Sequence, residues 1–171
     1  MNSVKLNFRA LTERDLPTLQ QWLAREHLQR WWRAETNSLE LVREKYLPRI
    51  SGDDAATPFL AYDGEEPIGY IQSYCAYEGT PGWWPDEPGP GVFGIDQFIA
   101  DANRLNQGLG TAMVTQFIEM LFANPDVREI RVDPRPDNAR AIRCYSKVGF
   151  EETGLISTPD GPAVMMVIER S

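Results

Sequence analysis

The sequence predicts a mixed α/β fold, an α+β arrangement with a central sheet flanked by helices, and three observations carry that prediction. Short apolar runs repeat at period two or stand as continuous β-rich stretches, as strands do. Apolar residues recur at helical spacing between them. Turn residues separate nearly every run, with no internal repeat, low-complexity tract or linker. The order read along the chain is strand, two helices, three strands, helix, strand, helix, two strands. Its 171 residues suit one domain spanning positions 1–171, with one sizeable core.

Val4 to Ala10 alternates apolar and polar residues, the pattern of a half-buried strand. Thr12 then caps a helix, with Asp15 three residues on, close to a capping box. Leu16, Leu19, Trp22 and Leu23 recur along that helix, and Leu28 and Trp31-Trp32 lie near its end. Ser38 caps a second helix through about Tyr46, stopped by Pro48. Ser51-Gly52-Asp53-Asp54 is a polar loop. Phe59 to Tyr62 and Pro67 to Tyr74 read as strands joined by the hairpin Asp63-Gly64-Glu65-Glu66. Glu78 to Gly91 is rich in Gly and Pro, with Trp83-Trp84 in its middle. It is too long for a plain turn, and long ordered loops are often functional. Val92 to Ala100 is a buried central strand whose single charge is Asp96.

Gly108 to Phe122 is a helix by the repeat of Leu109, Ala112, Met113, Phe117 and Met120-Leu121, and Pro125 stops it. Glu129 to Asp133 is a strand ended by Pro134-Arg135-Pro136. Asp137-Asn138 opens a helix with Ala141, Ile142 and Tyr145 on one side, and Gly149 closes it as a left-handed cap. Phe150 to Ile156 and Ala163 to Ile168 form a final strand pair around Pro159-Asp160-Gly161.

Composition narrows the function. The net charge is −8, from 17 Lys and Arg against 25 Asp and Glu. A basic patch for nucleic acid is disfavoured, and a cationic small molecule suits the balance, although acidity also serves plain solubility. No stretch is long and apolar enough to span a bilayer, and the segment from Met1 to Leu6 lacks the apolar run of a signal peptide. A soluble cytoplasmic protein is expected. Cys75, Cys144 and the single His27 cannot supply a zinc set, so no metal is expected. The cysteines read as reduced core residues and His27 as a structural or surface one.

Two segments point to chemistry. Gln107-Gly108-Leu109-Gly110-Thr111 opens a helix, where glycines admit close backbone approach and the helix end favours an anion such as a pyrophosphate. A glycine pair serves ordinary loops equally well, and this one is neither a P-loop nor a dinucleotide fingerprint. The second segment runs from Asp137 to Phe150: a capped helix with Asn138, Ala141 and Tyr145 in series and Gly149-Phe150 at its end.

The pairing of Gln-Gly-x-Gly with Asn-x-x-Ala-x-x-x-Tyr-x-x-x-Gly-Phe resembles the GCN5-related N-acetyltransferase superfamily. The blocks Glu65 to Tyr74, Gly82-Trp83-Trp84, Gly94-Ile95-Asp96-Gln97, Arg140 to Tyr145 and Thr158 to Ala163 resemble aminoglycoside 6'-N-acetyltransferases of the type Ib kind. The likeness runs from about Leu11 to Ile168. It implies acetyl-CoA as co-substrate and direct attack by the 6'-amine of an aminoglycoside such as kanamycin or tobramycin, with antibiotic resistance as the outcome. It places the pyrophosphate on Gln107, Gly108, Leu109, Gly110 and Thr111, and the pantetheine along Gln97, Phe98 and Ile99. Asn138, Ala141, Tyr145 and Lys147 belong to the same cofactor site. It makes Asp96 the base or amine-orienting group and Tyr145 the acid. It puts Trp32, Gln72, Tyr74, Trp83, Trp84, Asp133 and Asp160, with Asp96, at the drug cleft. A monomer or weak homodimer is expected.

Elementary chemistry agrees. An amine must be neutral to attack, and a carboxylate can take its proton. Asp96 is the lone charge of an apolar strand, a costly place for a carboxylate without a task. Tyr145 can protonate a leaving thiolate, and backbone N–H groups of a splayed strand can stabilise an oxyanion. Carboxylates suit ammonium groups, and aromatic faces suit sugars and cations. Glu78, Asp86 and Glu87 surround Trp83-Trp84, a solvated face or a cation site; the tryptophans either pack the loop down or meet a ligand. Type Ib relatives carry aspartate just before Gly-Trp-Trp, where this chain has Pro81, and Glu78, Asp86 and Glu87 are the candidate replacements. Two rival readings stay open. One is an acetyltransferase of a lysine-type or siderophore-precursor amine. The other is a non-catalytic acyl-CoA-binding module, against which Asp96 and Tyr145 speak.

Overall fold

A computed structural model describes residues 4–32, 38–78, 82–86 and 88–171. Pro81 and Glu87 lie outside the described residues. Among the described residues, seven strands form one sheet: β1 (Asn7–Ala10), β2 (Ala56–Asp63), β3 (Glu66–Cys75), β4 (Val92–Ile99), β5 (Glu129–Val132), β6 (Glu151–Thr158) and β7 (Gly161–Glu169). Their order is β1-β2-β3-β4-β5-β7-β6. Every neighbouring pair is antiparallel except β4 and β5. The helices are α1 (Leu16–Leu23), α2 (Glu26–Trp32), α3 (Leu39–Ser51), α4 (Leu109–Phe122) and α5 (Ala139–Val148). This is the mixed α/β architecture that the alternation of periods predicts.

Strand alternation divides the core between the two faces of the sheet. Ile71, Ile95 and Ile99 pack with Met113 and Phe117 of α4 and Tyr145 of α5. Tyr70 and Phe98, one residue out of phase with them, pack with Leu16, Leu19 and Tyr46 of α1 and α3. So residues 95, 97 and 99 face α4 and α5, while Asp96 shares its face with Tyr70, Gln72 and Phe98.

Four elements depart from the sequence reading: β2 begins at Ala56 rather than Phe59, with Ala56, Thr57 and Pro58 paired to Tyr74, Ser73 and Gln72 of β3, and the other three differ for a local reason each. The first strand begins at Asn7 rather than Val4. The Gln116 side chain takes the preceding backbone instead: Leu6 N donates to its Oε1 at 2.9 Å, and its Nε2 donates to the Val4 carbonyl at 2.6 Å. The first helix is broken into a 3-10 turn (Glu13–Asp15), α1 and α2. The break lets Arg25 Nη1 reach the Ala100 carbonyl at 2.5 Å and His27 Nε2 the Ile99 carbonyl at 2.9 Å. The second helix does not stop at Pro48 but runs to Ser51. Proline there removes one hydrogen bond in the last turn. Ser51 Oγ donates to the Pro48 carbonyl at 3.2 Å, and Gly52 ends the helix at φ 89°. The extra turn carries Arg49 into the cleft described below.

The seam between β3 and β4 is tight at Gly69, where an added Cβ would lie 2.5 Å from the Phe98 carbonyl oxygen and 3.2 Å from Met113 Sδ. Gly69→Ala should therefore overpack the sheet and cost about 1–3 kcal/mol. Urea unfolding should show a lower midpoint with an unchanged slope; an unchanged midpoint would show that the seam yields freely.

Candidate active site

The site begins where β4 and β5 part. They pair only at Val92–Glu129, Phe93–Ile130 and Gly94–Arg131. Beyond that, β4 continues to Ile99 beside β3 alone. The Val92 carbonyl accepts from Ala76 N and the Ala100 amide donates to the Ile68 carbonyl, so even-numbered backbone groups of β4 face β3. Alternation turns those of Ile95, Gln97 and Ile99 into the opening. The Ile99 carbonyl is met there by His27, whose Nε2 therefore carries the proton.

Two clefts open from this gap, and Asp96 and Asp133 line both. The wider, about 770 Å³, is walled by Asp53, Asp54, Glu78, Asp96 and Asp133, with Arg49, Gln72, Tyr74, Trp83 and Trp84 between them. The narrower, about 310 Å³, runs past Gln97, Phe98 and Ile99 to Gly108, Gly110 and Thr111, and is bordered by Arg104, Arg135, Arg140, Arg143 and Lys147. In a chain of net charge −8, anionic and cationic side chains are sorted into two clefts that share Asp96 and Asp133.

Asp96 is half-buried and tied to its neighbours on β3 and α3. Its Oδ2 accepts from Gln72 Nε2 at 2.8 Å. Gln72 Oε1 accepts from the Tyr70 hydroxyl at 2.5 Å and from Arg49 Nη1 at 2.6 Å. Burial raises the Asp96 pKa, against the Gln72 hydrogen bond and the charges of Arg49 and Lys45. Tyr74 lies across β4 next to it, because residue 94 is glycine: a Cβ there would sit 2.2 Å from the tyrosine ring.

On the other face, Tyr145 is 6% exposed, and its hydroxyl oxygen accepts from Gln97 Nε2 at 3.3 Å. Burial raises its pKa, so the phenol keeps its proton at neutral pH. With Gln97 donating to the oxygen, the phenol's own hydrogen is free to point elsewhere. Gly108, at φ 81°, precedes α4 with open space where a Cβ would stand. The first amides of α4 have no partner within the helix, and Asn138, which caps α5 by accepting from Ala141 N at 3.2 Å, lines the same cleft.

The acetyltransferase (GNAT) domain family matches residues 12–158. The chain belongs to the GNAT acetyltransferase family. An aminoglycoside N(6')-acetyltransferase type 1 of Klebsiella pneumoniae is 48% identical over 167 residues, 96% of this chain and 83% of that protein. The crystal structure of aminoglycoside acetyltransferase AAC(6')-Ib in complex with coenzyme A matches with a TM-score of 0.92 at 48% identity, covering 97% of this chain and 95% of that one. The same enzyme in complex with coenzyme A and kanamycin matches with a TM-score of 0.91 over the same shares.

In this GNAT protein the narrow cleft fits coenzyme A on its own chemistry: an open strand edge, a bare helix N-terminus behind glycines, and a cationic rim for phosphates. Of the residues the sequence singles out for the cofactor, Gln97, Phe98, Ile99, Gly108, Gly110, Thr111, Asn138, Ala141, Tyr145 and Lys147 line it. Leu109 turns its side chain into the core, leaving its backbone N–H, and Gln107 Nε2 donates back to the Asn103 carbonyl. Of those singled out for the acceptor, Gln72, Tyr74, Trp83, Trp84, Asp96 and Asp133 line the wide cleft. Trp32 lines the narrow one instead, edge-on to Phe98 at 5.2 Å between ring centroids. Asp160 stands exposed on the β6–β7 turn and lines neither, although its charge reaches Lys45. Sequence reasoning missed Arg49, Asp53 and Asp54. The proline rule ended α3 too early for the first, and the other two had only the look of a polar loop.

The tryptophan loop is packed down and faces the cleft at once. Trp84 is 4% exposed, lies by Tyr74, and has the Arg131 guanidinium 5.3 Å from its ring. Trp83 and Trp84 donate their indole N–H to Asp133 Oδ2 at 2.8 and 3.2 Å. Arg131 pairs with Asp86 at 2.9 Å and with Glu129. Burial, then the charge of Asp96, pushes the Asp133 pKa up to about 6. An acid with a raised folded-state pKa contributes stability at low pH, which is lost as pH rises through that value. Asp133→Asn keeps an oxygen for the indoles and removes the titration. Urea unfolding at about pH 4 and about pH 7 should show the variant gaining on the wild type as pH rises; a difference that stays constant or shifts in the wild type's favour would contradict the assignment.

Proposed function

We propose that the chain, residues 1–171 acting as one N-acetyltransferase domain, is an aminoglycoside 6'-N-acetyltransferase that moves acetyl from acetyl-CoA to a drug amine and so confers resistance. The observation that carries this reading is the meeting of a cationic cleft and an anionic one at Asp96. Polyphosphate suits the first, and a polyammonium sugar suits the second. The similarity to enzymes named for that reaction supports it. Acetyl-CoA supplies the activated acyl group and a thiol leaving group.

In this reading Asp96 accepts the proton of the acceptor ammonium, directly or through water, and orients the nitrogen. Its raised pKa makes it a stronger base, while Gln72, Arg49 and Lys45 still favour the carboxylate. Tyr145 holds its proton for the departing thiolate. The β4 amides turned into the gap supply donors for an oxyanion. Asp53, Asp54, Glu78 and Asp133 attract the other ammonium groups, and Trp83 offers an aromatic wall. The protein works in the cytoplasm as a monomer or weak homodimer, with the drug and not nucleic acid as its partner. A lysine-type acceptor suits the cleft less well, because it carries at most two amines, which leave most of those carboxylates unmatched, and its own carboxylate would be repelled by them.

A thiol-release assay tests substrate and position. Drugs with a 6'-amine should turn over, and matched 6'-hydroxyl compounds should be inert at that position; equal turnover would overturn the regiochemistry. Asp96→Asn should lower kcat/KM by about 10²–10⁴-fold, the usual scale of general-base help. Tyr145→Phe should act mainly on kcat. A folded Asp96→Asn enzyme with near-normal activity would remove Asp96 from the reaction.

A further inference from the structure

Arg49 is out of keeping with its surroundings. The acceptor cleft is walled by carboxylates, and among the described residues lining it Arg49 is the one cation. Its side chain is 15% exposed, with the guanidinium 5.0 Å from the centroid of the Tyr46 ring. Nε is buried with no hydrogen-bond partner among the described residues, and Asp54 Oδ2 stands 4.0 Å off. A buried guanidinium with an unmet N–H lowers stability, and a fixed cation weakens the hold on a cationic acceptor. Neither folding nor drug attraction accounts for it.

What Arg49 acts on is Gln72. That side chain is 5% exposed, and its Oε1 takes two donors at once, Arg49 Nη1 at 2.6 Å and the Tyr70 hydroxyl at 2.5 Å. Turned over, the amide would set its NH₂ against a cation that can only donate. The amide is therefore fixed, with Nε2 on Asp96 Oδ2 at 2.8 Å. We propose that Arg49 is a positioning residue for acetyl transfer: with Tyr70 it locks the Gln72 amide, which holds the Asp96 carboxylate ionised and oriented toward the acceptor amine. This rests on the reading of Asp96 as proton acceptor.

The charged and titratable groups around Asp96 come from every element packed on it: Arg49 and Lys45 of α3, Tyr70 and Tyr74 of β3, Asp133 after β5 and Tyr145 of α5. The two cations favour the carboxylate and Asp133 opposes it. Burial, then Arg49, lowers the Lys45 pKa to about 8. Lys45 thus stays charged through the acid limb of activity and persists when Arg49 is replaced.

The test compares pH profiles of kcat/KM for the full chain and Arg49→Gln on one drug, so that the drug's own amines contribute equally to both. The acid limb should move up by about one pH unit. The kcat should fall while the drug KM falls or holds, since a cation has left an anionic cleft. Arg49→Lys should bring the limb most of the way back. A raised KM with the limb unmoved would assign Arg49 a merely structural role and overturn the proposal. Tyr70→Phe removes the other donor without changing charge and serves if Arg49→Gln does not fold. It should lower kcat several-fold at unchanged KM, and a normal kcat in the folded protein would overturn the lock. Asp96→Asn, assayed alongside, separates the two levels. If it stays active, the reading of Asp96 fails. If it is inactive while the Arg49→Gln limb stands still, Arg49 alone fails.

Discussion

The separation of β4 from β5 after Gly94 and Arg131 is the constraint on which the rest of the site depends. Three residue pairs hold the strands together, and then β4 runs on with one edge open. An open edge inside a protein would leave backbone groups unmet, a costly state. The gap instead opens on both clefts, with Tyr145 from one face and Asp96 from the other brought to its mouth. Two helices are placed to serve it. The break before α2 lets Arg25 and His27 meet the end of β4, and α4 begins at a glycine that leaves the entrance bare.

The second organising feature is charge sorting. Attraction between exposed charges is weak and screened, but a cleft lined with one sign concentrates its field. Here the cationic wall comes largely from the loop before α4 and from α5, and the anionic wall from the loop after α3 and the segment around Trp83. On the proposed function, a polyphosphate and a polyammonium sugar would each be drawn to its own cleft before any specific contact forms. Trp83 and Trp84 owe their placement to Asp133, and Arg131, two residues back along β5, anchors the same loop through Asp86. The strand that makes the gap also builds one wall of the acceptor cleft.

Much of this was legible in the sequence. Period and punctuation placed strands β3 to β7 and the two C-terminal helices to within about two residues, because each carries strong apolar patterning between turn residues. The lone aspartate in an apolar strand pointed to Asp96, and the glycine pair opening α4 pointed to the narrow cleft. What was not legible depended on tertiary contacts. Val4 and Leu6 have strand periodicity, yet a glutamine from α4 takes their backbone. Pro48 ends a helix by local rules, yet Ser51 and Gly52 carry the chain one turn further and deliver Arg49 to Gln72. Asp53 and Asp54 gain meaning only from the wall they share with Asp133 and Glu78.

On the proposed function, acetyl transfer requires both ligands to occupy their own clefts together and to meet at Asp96. A crystal structure of the protein with coenzyme A and a 6'-amino aminoglycoside measures this directly. The 6'-nitrogen should lie within hydrogen-bond distance of the Asp96 carboxylate, about 3 Å, with the phosphates at the N-terminus of α4. A 6'-nitrogen lodged away from Asp96, or phosphates bound elsewhere than at Gly108 to Thr111, would contradict it.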